Sequence, residues 1–418
     1  MSIVKDPQSM DLAETGNVGG AELKMSFIKN VQTLLRQNIR EYGMYIAFLI
    51  IIAIFSITTN GLFVSSRNIV NLVNATSYIA VLAVGMTVVI IIQHIDLSVG
   101  FLTGFLGAIA ATALKYWGLP VYAAIPLVLA LGVLAGLVNG FLVAQMGIPA
   151  FVATLAGWLG YRGALQLATV KTGTIIIADN VFNAIANGFI PDIPGLGILP
   201  GVHKLTLLLG LAAIILFIVN EIVGRRKTQA YHFQVLPLDM FILKLVFVSV
   251  LVGGIAWVLA GYRGLPWAAV VLLIVVFFYY FIMSETVLGR HIYAVGGNPG
   301  AAEVSGVSIK RITYVVFGSM GLLCGVSGIL YASWLRSATT TAGNLFELDA
   351  IAAAYVGGVS AAGGVGKVQG AIIGALVMAS LTNGMNLMGI DISIQYITRA
   401  LVLAAAVIFD VATRRREQ

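Results

Sequence analysis

Residues 77–115 read SYIAVLAVGMTVVIIIQHIDLSVGFLTGFLGAIAATALK, two apolar runs over 77–93 and 98–115 joined by a short connection that carries Asp96. A transmembrane helix needs roughly 20 predominantly apolar residues, so each run reads as a bilayer-spanning segment. The composition carries this reading outward in both directions. Hydrophobic residues make up 59% of the 418 and charged residues 10%, whereas a soluble domain carries about 25% charged residues. So few charges do not cover a water-facing surface. The expected fold is an all-α polytopic integral membrane protein.

Further spans are expected at 44–60, 121–145, 150–168, 204–223, 239–260, 265–284, 312–334, 347–362, 368–388 and 394–411. The count is about 10–12, the lower figure applying if 150–168 or 347–362 is re-entrant or broken. Translocation biases Lys and Arg toward the cytoplasm. With the N-terminus inside, sixteen basic residues fall on the inner side and seven on the outer, with Arg399 left within a span. Both termini are therefore expected in the cytoplasm. The formal charge of +7 lies beside apolar runs rather than in one stripe, which reads as topology and not as a nucleic-acid site.

Three regions follow: 1–43, a cytoplasmic tail and amphipathic helix; 44–411, the membrane domain; and 412–418, a basic cytoplasmic tail. Residues 1–20 include Asp6, Asp11 and Glu14 and show no apolar core after a basic start, so no secretory signal is expected. Over 27–39, Phe27, Val31, Leu34, Leu35 and Ile39 share one helical stripe, fitting a helix on the inner membrane surface or an ordinary cytoplasmic one. Cys324 has no partner; neither a disulfide nor a cysteine metal site is available to it, and it reads as a small packing residue.

Asp96 either caps the helix that begins near Leu97 or touches a solute, since a carboxylate near membrane depth costs several kcal/mol unless paired or wet. Asp349 and Arg399 are the other charges that bear on a path through the spans. A weak echo links the two acids. VNGFLVAQMG follows 43 residues after Asp96, and TNGMNLMG follows 34 residues after Asp349. The two units would be inverted in the membrane, as repeats are in many transporters; coincidence among small-residue helices explains the echo equally well. On the outer side, NVFNAIANGF over 180–189 fits a short interfacial helix.

The segment 289–311, GRHIYAVGGNPGAAEVSGVSIKR, lies between two spans. Gly296, Gly297, Asn298 and Pro299 punctuate it as a turn, and GAAEVSG then offers a small-residue helix carrying Glu303 and ending at Gly306. Such a helix suits insertion into a groove on a soluble partner; otherwise it is a structured loop. Together with HIDLSVG, ELDAIAAAYVGGVSAAGGVGKVQGAIIGA and the terminal RRR, this segment resembles the monosaccharide permeases of ABC importers, most closely the xylose and multiple-sugar members, over about 60–414. Residues 205–260 look less like the shorter ribose-type permeases.

The resemblance implies an ABC importer permease fold in the cell inner membrane and a monosaccharide cargo. It also implies a permease homodimer, two cytoplasmic ATP-binding subunits, a periplasmic sugar-binding protein and no cofactor. It makes Gly297, Asn298, Ala301, Ala302, Glu303 and Gly306 the element that docks on the ATPase. Asp96, Asn139, Asp349 and Asn383 are the candidates for the path or its gate, with Asn386, Trp158, Trp334 and Tyr355 as further polar and aromatic groups for a sugar. The chain is not expected to hydrolyse ATP itself. Its nearest approach to a phosphate-binding loop, Gly366-Lys367, is followed by Val368 and has Ala361 where the first glycine belongs. His94, His203, His232 and His291 lie in separate connections without ligand spacing. The alternative function is an ion-coupled secondary transporter of a small polar solute, which needs intramembrane acids beyond the few present.

Overall fold

The computed structural model describes residues 39–194, 200–231, 233, 235 and 237–414. The tail and most of the amphipathic stripe expected before residue 39, and the tail after 414, lie outside the described residues. Among the described residues the regular structure is helical apart from one two-stranded antiparallel sheet.

The described residues begin with α1 (Ile39–Thr58), α2 (Ser66–Ile91), α3 (Val99–Lys115), α4 (Val121–Ala144) and α5 (Ala150–Thr169). Then come strand β1 (Thr174–Ile176), the short helix α6 (Asn180–Asn187), and α7 (Lys204–Ala230), α8 (Leu238–Ala260) and α9 (Trp267–Glu285). A helical protrusion, α10 (Val287–Gly297) and α11 (Pro299–Val304), precedes α12 (Ile309–Leu335), strand β2 (Ser337–Thr339), α13 (Phe346–Val356), α14 (Val368–Leu387) and α15 (Ile392–Arg414).

Eight of these helices are long and apolar enough to cross a membrane. Two are central masts: the most apolar stretches of α2 and α12 are 83% and 72% buried inside the protein, against 0% for α7 and 6% for α15. Small residues let the masts and their neighbours approach closely. A Cβ built on Gly321 of α12 would strike the Gly132 carbonyl of α4, and one on Gly136 the Phe317 carbonyl.

Three expected spans change, the one expected over 204–223 running on to Ala230 as α7. The helix expected from 77 begins at Ser66, because Asn68 and Asn74 within its first turns turn inward and are half-buried or buried instead of facing lipid. The expected crossing 347–362 is α13 alone, 11 residues long. At 1.5 Å per residue it covers about 16 Å, too short for a hydrocarbon core of about 30 Å. The glycines of 357–367 break it, with Gly358, Gly363 and Gly364 in the left-handed region that only glycine adopts freely. Within the protrusion, Gly296 and Gly297 belong to α10 rather than to a turn. The chain breaks at Asn298, whose side chain accepts the Ala301 N–H and caps α11.

Contacts fix which ends lie together. Met44 near the start of α1 approaches Gly358, Asp410 near the end of α15 accepts from Ala361, and Tyr293 of α10 donates to Gly366. Residues 39 and 414 therefore sit at the protrusion end. At the opposite end β1 pairs with β2 through Thr174↔Thr339 and Ile176↔Ser337. There Ser333 Oγ donates to Phe182 O at 2.8 Å and accepts from Ala186 N at 2.9 Å, strapping α6 to the end of α12.

Candidate functional site

A cavity of about 270 Å³ opens between α2, α12, α13, α14 and α15, toward the end away from the protrusion. Tyr78 and Trp334 form an aromatic wall with ring centroids 5.9 Å apart, backed by Tyr331 and Phe346. Thr76, Thr382, Asn383 and Asn386 supply hydroxyls and amides, and Asp349 and Arg399 pair at its edge. An apolar and aromatic wall with a few convergent polar groups is the usual build of a small-molecule site.

The amides are held in place before any solute arrives. Asn383 on α14 and Asn68 on α2 exchange hydrogen bonds at 2.8 and 3.2 Å. Asn386 Oδ1 accepts from Gln395 Nε2 at 2.7 Å, which also ties α15 to this wall. The two charges that face the cavity satisfy each other, so the lining presents aromatic faces, amides and hydroxyls with no uncompensated charge.

The structure divides the path candidates into two groups. Asp349, Asn383, Asn386 and Trp334 meet at the cavity. Asp96 and Asn139 meet elsewhere, in a network 2% and 1% exposed at the start of α3. Asp96 Oδ1 accepts the Ser98 N–H at 2.9 Å and its hydroxyl at 2.6 Å, and Asn139 Nδ2 donates to the same hydroxyl at 2.9 Å. That closes a tight turn just before α3, whose N-cap residue is Ser98 with no side-chain cap bond, so Asp96 is satisfied in its own network and does not cap the helix. The helices α3 and α13 that follow or carry these acids run in opposite directions, the geometry an inverted pair requires. Tyr355 is half-buried on α13, outside the cavity lining.

Trp158 leads to a residue the sequence reading passed over. Its indole N–H donates to Glu347 Oε1 at 3.0 Å, and Glu347 is 5% exposed with its second oxygen unpartnered. An acid inside an apolar segment was the available signal.

At the protrusion, Gly297, Asn298, Ala301, Glu303 and Gly306 are exposed, while Ala302 is 4% exposed and anchors α11 beneath them. Val304, which the sequence reading did not single out, is 92% exposed at the tip. Outside the spans, Asp192 accepts the Leu205 N–H at 2.9 Å, with His203 and Lys204 nearby, and this holds its carboxyl down to about 2.

Comparison with known proteins gives a concordant picture. A family model described as branched-chain amino acid transport system / permease component matches residues 68–409. The xylose transport system permease protein of Haemophilus influenzae is 38% identical over 379 residues, covering 91% of this chain and 98% of the relative. The xylose permease protein of Escherichia coli is 37% identical over 379 residues, 91% and 93% of the two chains. The ribose import permease protein of Haemophilus influenzae is 35% identical over 374 residues, 88% and 93%. No solved structure matches the chain.

Proposed function

The chain belongs to the family of branched-chain amino acid transport system permease components, and on that premise we propose that it carries a monosaccharide, a xylose-like sugar, through an ATP-driven importer. Membership makes it a multi-pass transport subunit of the inner membrane, with hydrolysis done by a separate ATP-binding subunit and cargo delivered by a periplasmic binding protein. The ion-coupled alternative is set aside on the same ground.

The cavity supports a sugar over the amino acid in the family's description. A zwitterion needs one free cation and one free carboxylate, and here Asp349 and Arg399 consume each other. A neutral polyol needs aromatic faces for its C–H groups and amides for its hydroxyls, which Tyr78, Trp334, Asn383 and Asn386 offer. That lining is the observation that carries the proposal. The test is uptake of labelled xylose by vesicles holding the chain with its ATP-binding and sugar-binding partners. Unlabelled xylose should compete more strongly than ribose, and leucine should not compete; competition by leucine alone overturns the reading.

The protrusion end is the cytoplasmic one on this reading, with residues 39 and 414 beside it, in line with the excess of Lys and Arg assigned to that side. Gly297, Asn298, Ala301, Glu303 and Gly306, seated on Ala302, present the surface that meets the ATP-binding subunit, and Val304 is its apolar tip.

Two copies of the chain pair through α5. This helix has 20 residues, enough to span, yet it is not among the eight apolar enough for lipid. Its outward face carries Gln166 and the open Gly160 and Gly163, with Arg162 exposed beside them and stacked on Phe101 and Trp158 of its own chain. A charge and an amide in mid-span are costly against lipid and face protein or a water-filled path instead. A second copy supplies both, with small residues permitting close approach.

A further inference from the structure

The loop 357–367 touches every element that a transport stroke has to connect. Its two ends continue into α13, which carries Asp349, and α14, which carries Asn383. Its Gly364 N–H donates to Ile91 O at 2.9 Å, fastening it to the end of α2, the helix of Tyr78. Its Ser360 hydroxyl and Ala361 N–H reach Asp410 Oδ2 at 3.4 and 3.3 Å, fastening it to α15, the helix of Arg399. Four of the five helices around the cavity therefore converge on one turn.

The same turn is bolted to the protrusion. Tyr293 of α10 donates its hydroxyl to Gly366 O at 2.7 Å, and Gln93, just past α2, donates its amide to Gly296 O at 2.7 Å. Gln93 does so from a left-handed backbone, φ 63°, a conformation that is unfavourable for a non-glycine residue and persists where surrounding contacts impose it. There is no slack in the seam: a Cβ on Gly296 would strike Ile91 O and Gly364 N, and one on Gly363 would strike Gln93, Gly296 O and Ile91 O.

We propose that 357–367 is the transmission joint of the transporter, through which Tyr293 and Gln93 pass movement of the protrusion into the helices that hold the Asp349–Arg399 pair and the cavity amides. Each helix is a rigid arm from the joint. At 1.5 Å per residue the arms run about 10 Å to Asp349, 16 Å to Arg399, 20 Å to Tyr78 and 22 Å to Asn383. A tilt at the joint thus displaces the cavity walls by unequal amounts and reshapes it. Tyr293 and Gln93 are positioning residues: they touch neither sugar nor nucleotide. The proposal rests on the reading of 297–306 as the ATPase-docking element.

The test uses the full transporter in proteoliposomes, comparing wild type with Tyr293→Phe/Gln93→Asn, since Asn tolerates the left-handed backbone but is too short to reach Gly296. Co-purification of the ATP-binding subunit should be unchanged and ATP hydrolysis should stay within about twofold, while sugar moved per ATP falls about tenfold, inside the range of effects along packed networks. An unchanged ratio overturns the joint. Loss of co-purification overturns it too, by making these residues part of the docking surface. Tyr293→Phe alone, which removes one hydroxyl, is the second variant, with a fall of about threefold expected. The docking reading is probed separately by Glu303→Lys/Val304→Asp. If that variant keeps its ATPase subunit and its ratio, docking lies elsewhere and the reading on which the joint rests fails, whereas an unchanged ratio in the Tyr293 variants overturns the joint alone.

Discussion

Asp349 on α13 and Arg399 on α15 form an ion pair at the edge of the cavity, Arg399 20% and Asp349 22% exposed. The pair bridges a half-length helix that ends in the glycine-rich joint and a peripheral helix whose other end is fastened to that joint by Asp410. Breaking a buried pair from one side costs about 3–5 kcal/mol, and this partial exposure brings the expected loss nearer to about 2 kcal/mol. Arg399→Ala should therefore lower the thermal unfolding midpoint in detergent and abolish uptake. Arg399→Ala/Asp349→Leu should recover part of the stability and none of the transport, because the orphaned charge is gone but the bridge is not restored. Equal stability of single and double variants would show that the pair does not hold α13 to α15.

Gly321 tests the close approach of the masts. Gly321→Ala places a methyl against the Gly132 carbonyl, and overpacking of this kind costs about 1–3 kcal/mol. Gly254→Ala on α8, where nothing lies within 4 Å, should gain up to about 1 kcal/mol from helix propensity. Thermal unfolding of the two variants should move in opposite directions.

The α5 pairing predicts a covalent dimer. Cys324 is buried and is replaced by serine in the background. Leu159→Cys, 60% exposed on the outward face, should then cross-link in membranes under mild oxidation, and Ile215→Cys on α7, 52% exposed, should not. Cross-linking at Ile215 in place of Leu159 moves the interface to the α7–α8 hairpin.

Asp192 sets a pH dependence. Its folded value, about 2, lies below the ordinary 3.8 because the Leu205 N–H favours the ionised form. The stabilisation is complete above about 4 and is lost as pH falls through about 2. The destabilisation caused by Asp192→Asn should be constant from pH 8 to 5 and shrink below 4, read as the difference in unfolding midpoint. A difference that already changes between pH 8 and 6 would show that the Asp192 carboxylate is not the group in control.

The spans were legible because a bilayer imposes length and apolarity on each segment independently, so the chain announced α3, α4, α5 and α14 within a residue or two. What it hid were features that depend on pairing. The first turns of α2 look too polar for a span until Asn383 is seen opposite Asn68. The truncation of α13 shows in the glycines after 356, yet how far they unwind is decided by Gly296 and Ile91 closing on them. Of the site, Asp349, Asn383, Asn386 and Trp334 were singled out as polar or aromatic residues on apolar helices. Their union at one cavity, and the separate buried network of Asp96 and Asn139, follow from helix packing that no local pattern records. Glu347 and Val304 were passed over since an acid beside Asp349 and a valine among small residues gain meaning only from their burial and exposure.

In the proposed function this chain moves its solute with energy delivered from outside, through the protrusion 287–311. Reconstituted with its ATP-binding subunit and a sugar-binding protein, it should accumulate xylose only while ATP is hydrolysed, with no uptake by the chain alone under a proton or sodium gradient. Accumulation by the chain alone, driven by either ion, contradicts the account.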